Sequence, residues 1–212
     1  MSDSGYLQYQ FRGAGPSHMH RHFMPKVIEL CGPRERLAGA RVLDVGCGNG
    51  FTCGEFAKLG CQVTGTDLSQ TGIEAARRAY PQCRFELLSA TDDLLERLGG
   101  EPFDFIVSTE VVEHLYDPRG YVRSCYRALK PGGRFICTTP YHGYLKNLAI
   151  SVLGKWDRHA DPLWDCGHIK LWSRATLTRL LAEAGFTNFQ FRGAGRVPFL
   201  WMTMVMAADK PA

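Results

Sequence analysis

The sequence predicts a doubly wound α/β fold with a mostly parallel seven-stranded sheet that ends in an antiparallel hairpin. Short apolar segments alternate with segments of helical periodicity, which is the pattern of βαβ units. The last two strand segments have no helix between them, so they must pair antiparallel. The predicted strands span residues 41–45, 62–66, 84–88, 103–108, 134–139, 186–192 and 201–208.

Helical segments lie between most of these strands. Ser69 is expected to cap its helix, because a serine hydroxyl accepts a hydrogen bond from a free N–H of the first turn. The sequence Lys-Pro-Gly-Gly at 130–133 is expected to end one helix, and Gly185 another. The predicted helices span residues 52–59, 69–80, 92–98, 119–129 and 173–184.

The chain of 212 residues is expected to form a single domain with three parts. Residues 1–30 form an N-terminal cap, with a helix that Pro25 interrupts or begins. Residues 40–140 form the ligand-binding core. Residues 141–172 form an insertion rich in Trp, His and Asp, and we expect it to be a lid, since long loops in compact domains are usually functional. Apolar residues at 145, 148, 149, 152 and 153 predict an amphipathic helix within it.

Composition restricts the partners and the location. The net charge of +4 is modest and the basic residues are scattered, so no nucleic-acid partner is predicted. The eight cysteines include no CxxC pair, which favours a reducing compartment. The N-terminus lacks a signal-peptide pattern, and the longest apolar stretch, 197–208, is too short for a membrane helix. We therefore expect a cytoplasmic protein without stable membrane insertion. Nothing in the sequence predicts an oligomeric state.

The segment VLDVGCGNG, at 42–50, carries the most specific functional signal. A turn needs one glycine, whereas Gly46, Gly48 and Gly50 in alternation indicate that a ligand approaches the backbone closely. In doubly wound sheets, ligands bind at the carboxyl ends of the strands. Asp67 ends the next strand, 19 positions after Gly48, where an acid can hydrogen-bond a ribose. Both a dinucleotide and S-adenosylmethionine fit this pattern, although the spacing is GxGxG rather than the dinucleotide GxGxxG.

Four segments resemble the motifs of class I S-adenosylmethionine-dependent methyltransferases. They occur in family order from about residue 40 to 140, and they are VLDVGCGNG, VTGTDLS, FDFIVSTEVVEHLYDP and ALKPGGRFICTTP. Within this family, the chain is most similar to the bacterial O-methyltransferases related to ubiquinone biosynthesis. The resemblance implies a Rossmann-like methyltransferase fold, S-adenosyl-L-methionine as the cofactor and a small-molecule acceptor.

The resemblance also implies roles for residues of the core. The residue corresponding to Asp44 orders the loop and reaches the methionine amino group through water, and that corresponding to Asp67 binds both ribose hydroxyls. The adenine segment lacks its usual acid, so Ser89, the backbone N–H of Ala90 or a displaced Asp92 are the candidates for that contact. The implied cofactor-binding residues are Asp44, Gly46, Cys47, Gly48, Asn49, Gly50, Asp67, Leu68, Ser89, Ala90, Thr91 and Glu110.

Methyl transfer to a hydroxyl or thiol needs alignment of the acceptor and removal of its proton. His114, His142 and His168 are the candidate bases, with His168 favoured within the insertion because it precedes the segment that re-enters the core. A structural hydrogen bond that holds the loop is the alternative role for His114. The expected acceptor-binding residues are His18, Tyr141, His159 and Trp164.

Histidines near the N-terminus raise the question of a metal. His18 and His22 lie four positions apart and would share a helix face, and Cys166 and His168 lie elsewhere in the chain. These residues match no recognised ligand spacing, so no metal site is predicted.

The sequence therefore predicts a methyltransferase acting on a hydroxyl of a small molecule. An S-methyltransferase for a small thiol or sulfide is the first alternative, because it needs little recognition surface. A cofactor-binding module without catalysis is the second alternative, which the candidate bases disfavour. An RNA or protein methyltransferase is less favoured, since no basic tract or appended domain is visible.

Overall fold

The computed structural model describes residue 11, residue 13, residues 15–164 and residues 167–212. These residues form an α/β fold around a seven-stranded sheet with the order β3-β2-β1-β4-β5-β7-β6. Five strands run parallel, and β7 pairs antiparallel with both β5 and β6. The predicted fold class is confirmed. The strands are β1 Arg41–Val45, β2 Gln62–Asp67, β3 Arg84–Leu87, β4 Phe103–Thr109, β5 Leu129–Pro140, β6 Thr187–Ala194 and β7 Thr203–Asp209.

The strand order reverses between β1 and β4, and this reversal positions the site. Asp44 of β1 lies between Gly65 of β2 and Val107 of β4 in the parallel register. The connections that leave β1 and β4 turn to opposite faces of such a sheet, which opens a crevice at the carboxyl ends of the two strands. The glycine loop after β1 and the loop after β4 therefore border one crevice.

Seven α-helices lie in the described part of the chain. Ser69 accepts a hydrogen bond from the backbone N–H of Gly72, which confirms its predicted role as an N-cap. Ser173 and Thr176 form a capping box at the start of the last helix. The helices are α1 His20–Cys31, α2 Phe51–Lys58, α3 Gln70–Ala79, α4 Leu94–Arg97, α5 Pro118–Ala128, α6 Tyr144–Val152 and α7 Arg174–Glu183.

Each face of the sheet carries its own apolar cluster. Leu43 and Ile106 belong to the cluster that includes α5 and α7, whereas Val42, Phe105 and Val107 belong to the cluster that includes α1 and α2. Neighbouring residues of a strand point to opposite faces, so a strand covered on both faces must be apolar throughout. Asp44 is an acid in one of these strands and is fully buried. Apolar packing does not explain an acid at this position.

Two predicted boundaries are wrong. Pro25 lies inside a continuous helix α1 and neither begins nor interrupts it. Residues 130–133 were predicted to end the helix before the fifth strand, but they belong to the strand itself. β5 begins at Leu129, which pairs with Phe103, and the register shifts between Phe103 and Phe105. Pro131 is compatible with this end of the strand, where the pairing is incomplete. The N–H of the neighbouring Gly132 donates to the backbone oxygen of Lys210, which lies just beyond the end of β7.

The predicted helix in the insertion is present as α6, but its apolar face is turned outward. Leu145, Leu148 and Val152 are exposed, whereas Lys146 and Ile150 are buried. Lys146 therefore projects toward the body of the protein from the side that the hydrophobic pattern had marked as polar.

No helix in the described ranges combines the length and the apolar composition that a bilayer crossing requires. The seven cysteines that the structure describes are free thiols. Cys166 lies outside the described residues.

Candidate active site

The loop after β1 needs all three glycines, each against a different neighbour. Gly46, Gly48 and Gly50 have φ values of 75°, 51° and 79°, a region that L-residues with a side chain rarely adopt. A Cβ atom on Gly46 would clash with Val111 in the loop after β4, and one on Gly50 would lie 2.7 Å from Cβ of Ala76 in α3. Gly50 thus permits helix packing and does not line the site cavity.

Gly48 faces the N-terminal segment. A Cβ atom at this position would lie 2.7 Å from the ring of Phe11. The amide of Asn49 donates to the carbonyl oxygens of Gly13 and Gly15, at 2.6 and 2.9 Å. The segment before α1 is therefore held against the glycine loop through that loop's own residues.

Asp67 connects the end of β2 to this loop. Its Oδ2 accepts a hydrogen bond from N–H of Gly48 at 2.8 Å, and its Oδ1 accepts one from N–H of Ser69 at 2.7 Å. Burial raises the pKa of the Asp67 carboxyl, and the backbone donors oppose that shift by stabilising the ionised form. The carboxylate lies in the cavity wall with lone pairs left for a ligand hydroxyl.

Asp44 lies beneath the loop, outside the cavity lining. Its Oδ2 accepts a hydrogen bond from the thiol of Cys53 at 3.3 Å, and its Oδ1 has no partner among the described residues. Burial raises the pKa of Asp44 to about 7, and the charge of Asp67 adds to the shift. A buried oxygen without a partner at this position is consistent with a contact through water to a ligand amine.

A cavity of about 590 Å³ extends from the glycine loop to the insertion. Its wall combines glycine backbone, the Asp67 carboxylate and a loop after β3, which is the surface that a ribose, an adenine and an amino acid chain require. These residues fit S-adenosylmethionine. At this end the lining includes Gly46, Cys47, Gly48, Asn49, Asp67, Leu68, Leu88, Ser89 and Ala90.

The loop after β3 is held by its own polar side chains. Asp92 accepts a hydrogen bond from N–H of Ser89 at 2.9 Å, and the hydroxyls of Ser89 and Thr91 lie 2.9 Å apart. Ser89 and Ala90 line the cavity, whereas Thr91 and Asp92 do not. Of the three candidates for the adenine contact, the structure brings Ser89 and Ala90 to the site and uses Asp92 to shape the loop.

Two acids follow β4: Glu110 is half-buried and lines the cavity, and Glu113 is buried. Glu110 has a φ of 55°, and its N–H donates to the backbone oxygen of Thr138 at 3.1 Å. Thr138 Oγ1 donates to Glu110 Oε1 at 2.8 Å, and burial raises the pKa of this carboxyl to about 7. Neither oxygen of the Glu113 carboxyl has a hydrogen-bond partner among the described residues. Burial and the charge of Glu110 raise the pKa of Glu113 well above its ordinary value.

His114 has a defined tautomer. Its Nδ1 lies 3.1 Å from the carbonyl oxygen of Gly167, and because a carbonyl only accepts, Nδ1 carries the proton. In the neutral ring, Nε2 therefore holds the lone pair; it lies 4.0 Å from Glu113 Oε1. The hydrogen bond that the sequence left as an alternative role for His114 is present, and it orients the ring.

His142 and His168 complete the imidazole group. His142 Nδ1 lies 3.1 Å from Asn147 Oδ1, and its ring stacks on Trp156 with 6.5 Å between centroids. The ring of His168 lies 4.9 Å from that of His114. Burial lowers the pKa of His142, and burial together with the neighbouring His114, His142 and Lys146 lowers the pKa of His168 to about 4. Both rings are thus neutral at physiological pH.

One grouping of side chains has ligand chemistry. Single ligand atoms of Glu113, His114 and His168 lie within 4.8 Å of one another. Imidazole and carboxylate are ligands that divalent transition metals accept. The sequence predicts no metal site, and the residue spacing does not reveal this grouping. Chelation tests that prediction at these three residues.

The remaining predicted residues divide between the cavity and the core. His159 and Trp164 line the cavity, as does the exposed His18. The predicted common helix face of His18 and His22 is wrong, because α1 begins at His20. Tyr141 does not line the cavity; its ring packs 5.2 Å from Trp201.

Several lining residues were missed from the sequence. Lys146, Arg158 and Arg196 border the half of the cavity nearest the insertion. Lys146 is the one charged residue of α6, which was a usable signal for it. No local pattern marks Arg196, which follows β6 at a φ of 57°.

Comparison with known proteins decides the family. The model of a family described as "Methyltransferase domain" matches residues 17–190. The chain belongs to this methyltransferase family. It is an S-adenosylmethionine-dependent methyltransferase, as the glycine loop and Asp67 indicated.

Relatives and solved structures agree with this assignment. The chain is 32% identical to the ubiquinone biosynthesis O-methyltransferase of Ruegeria pomeroyi, over 84% of this chain and 72% of the relative. It is 37% identical to the enzyme of the same name from Xanthomonas oryzae, over 59% of this chain and 53% of that relative. In fold it is similar to the magnesium protoporphyrin IX methyltransferase of Synechocystis, solved with bound SAH, with a TM-score of 0.68 at 18% identity and coverage of 88% and 81%.

Proposed function

We propose that this methyltransferase moves a methyl group from S-adenosylmethionine to a hydroxyl of a small molecule, by in-line displacement with histidine-assisted deprotonation. The observation that carries the proposal is one continuous cavity, which joins the glycine loop and Asp67 at one end to the imidazoles of His114, His142 and His168 at the other. The names of the relatives, which are O-methyltransferases, support oxygen as the acceptor atom.

The cofactor end is assigned to this chain's residues by position. Asp67 binds the ribose hydroxyls, since a carboxylate accepts two charge-assisted hydrogen bonds. Gly46, Gly48 and the adjoining loop backbone lie along the methionine and ribose portion, and Ser89 and Ala90 border the adenine. S-adenosylmethionine supplies an electrophilic methyl group when bound. The chain contributes alignment of the acceptor and exclusion of water.

His114 is the first candidate to take the acceptor proton. Its Nδ1–H donates to Gly167, so Nε2 is the nitrogen of the neutral ring that can accept a proton, and the same argument applies to His142 through Asn147. His168 was favoured from the sequence, but a pKa of about 4 makes it a weak base at neutral pH. We therefore assign His168 to the wall that positions the acceptor and orients His114.

The insertion 141–172 acts in this proposal as the lid that forms the acceptor pocket. His114 contacts it through Gly167, and the N–H groups of Ile169 and Lys170 both donate to the backbone oxygen of Glu113, each at 3.0 Å. The loop after β4 and the insertion are thus tied together around the imidazoles. His159 and Trp164 contribute acceptor contacts from the insertion, and His18 contributes one from the N-terminal cap.

The proposal is tested with cofactor labelled in its methyl group and matched panels of phenol, catechol, thiol and amine acceptors. We expect label in the hydroxyl compounds and none in the amines. Label only in the thiols would replace this proposal with the S-methyltransferase alternative. Tight cofactor binding without label in any panel would favour a module that binds the cofactor without catalysis.

A further inference from the structure

The half of the cavity nearest the insertion contains three cationic side chains. Lys146 projects inward from α6, and Arg158 and Arg196 reach the same lining from the insertion and from the connection between β6 and β7. Lys146 is only 5% exposed, and its Nζ donates to the backbone oxygen of Met202 at 3.3 Å. A lysine buried to this degree is rare unless an acid pairs with it.

No such acid pairs with these cations among the described residues. Elsewhere in the described chain, arginines with acidic neighbours form ion pairs, such as Arg134 with Asp209 at 2.6 Å. None of Lys146, Arg158 and Arg196 forms an ion pair within the described residues.

The acids near this group do not cancel its charge. Glu110 attracts Lys146, but its pKa of about 7 leaves it ionised for only part of the time at neutral pH. The exposed Asp161 also lines the cavity, and its Oδ1 accepts a hydrogen bond from N–H of Leu163 at 2.9 Å. The third lining acid, Asp67, lies at the glycine-loop end.

Lys146 and Arg196 lie close enough for their charges to interact. Burial and the charge of Arg196 lower the pKa of Lys146 to about 8. Burial also lowers the pKa of His159, and Lys146, Arg196 and Lys155 lower it further. Like charges in a partly desolvated cavity repel, and a bound anion would relieve that repulsion.

We infer that the methyl acceptor carries an anionic group, a carboxylate or a phosphate, that binds between Lys146 and Arg196. This inference rests on the proposed function, because it places the acceptor at the imidazole end of the cavity. The planar guanidinium of Arg196 can donate two hydrogen bonds to either anion, and Lys146 supplies a second positive charge. These two cationic side chains select the acceptor by its charge, independently of the atom that is methylated.

The experiment uses probes that have no methylatable hydroxyl: benzoate, phenyl phosphate and the uncharged benzamide. Each is titrated by calorimetry into the full chain saturated with S-adenosylhomocysteine. We expect benzoate or phenyl phosphate to bind at least tenfold more tightly than benzamide, and the preferred probe identifies the anion. Equal affinity for all three would overturn the inference.

Variants then assign the preference to residues. Lys146→Met, which keeps the length of the side chain, and Arg196→Gln, at an exposed position, should each weaken binding of the preferred anion at least tenfold. Benzamide and S-adenosylhomocysteine should bind to both as to wild type, which also verifies the fold. Lys170→Met is the matched control, because this lysine of the same insertion does not line the cavity. Unchanged anion affinity in both variants would contradict the inference.

These outcomes are distinct from failure of the proposed function. A chain that prefers the anionic probes and labels no hydroxyl compound would retain the anion site and lose the O-methyltransferase assignment. A chain that labels neutral and anionic hydroxyl compounds equally well would retain the function and lose the anion site.

Discussion

The two ends of the cavity are built by different means. At the glycine end, the groups come from strand ends and adjacent loops, and backbone hydrogen bonds hold them, as Asp67 is held by Gly48 and Ser69. At the acceptor end, side chains converge from the loop after β4, the insertion, the N-terminal cap and the β6–β7 connection. In the proposed function, the first end recognises the cofactor by backbone shape, and the second end recognises the acceptor by imidazoles and charge. The two functions should therefore be separable by mutation.

The largest effect is expected from filling the glycine loop. Gly48→Val should abolish cofactor binding, because the side chain enters the space beside Phe11 and the backbone is held at a positive φ. Calorimetric titration with S-adenosylhomocysteine measures the loss. Gly39→Val is the control, since Gly39 has a φ of 75° with no atom within 4 Å of its Cβ position. Comparable loss of binding in both variants would show that backbone strain alone is responsible.

The next effect concerns the base at the acceptor end. Replacing at least one of His114, His142 and His168 with Ala should lower kcat by about 10²- to 10⁴-fold, the range for a lost general base, with cofactor affinity nearly preserved. Steady-state kinetics with the acceptor found in the labelling panel measure it. If all three variants turn over within about threefold of wild type, the acceptor arrives already ionised and the site acts by alignment alone.

A smaller effect is expected on stability toward acid. His142 is buried as the neutral ring, so its pKa in the folded state lies below the ordinary value of 6.5. Its contribution to folding is complete above pH 6.5 and is lost as the pH falls toward the lower folded pKa. Urea unfolding at pH 7.5 and 5 should show a smaller loss of stability in His142→Gln than in wild type. An identical loss would show that His142 is protonated without cost, and His18→Gln controls for an exposed histidine.

The smallest effect is expected from chelation. If Glu113, His114 and His168 are acid–base and pocket groups, EDTA treatment should leave turnover unchanged. Activity that EDTA removes and a divalent ion restores would make these three residues metal ligands and would reverse the prediction. His22, which does not line the cavity, offers a control variant whose response to EDTA should equal that of wild type.

The sequence revealed the glycine end better than the acceptor end for a physical reason. The glycine loop and Asp67 follow from local rules, because a positive φ favours glycine and an acid at a strand end faces the crevice. Lys146 and Arg196 are fifty positions apart, and only the fold brings them together. Amphipathicity arguments assume that the apolar face of a helix is buried, and α6 does the opposite because its apolar face is exposed. Pro25 and the Lys-Pro-Gly-Gly segment misled because tertiary contacts outweighed their local preferences.

In the proposed function, cofactor binding and acceptor chemistry occupy separate ends of one cavity. Calorimetric titration of S-adenosylhomocysteine into wild type, Asp67→Ala and His142→Ala distinguishes the two ends. We expect Asp67→Ala to weaken binding by about 2–3 kcal/mol, or about 30- to 150-fold, as for loss of a charged partner of two hydroxyls, and His142→Ala to bind within about threefold of wild type. Unchanged affinity in Asp67→Ala, or an equal loss in both variants, would contradict this expectation.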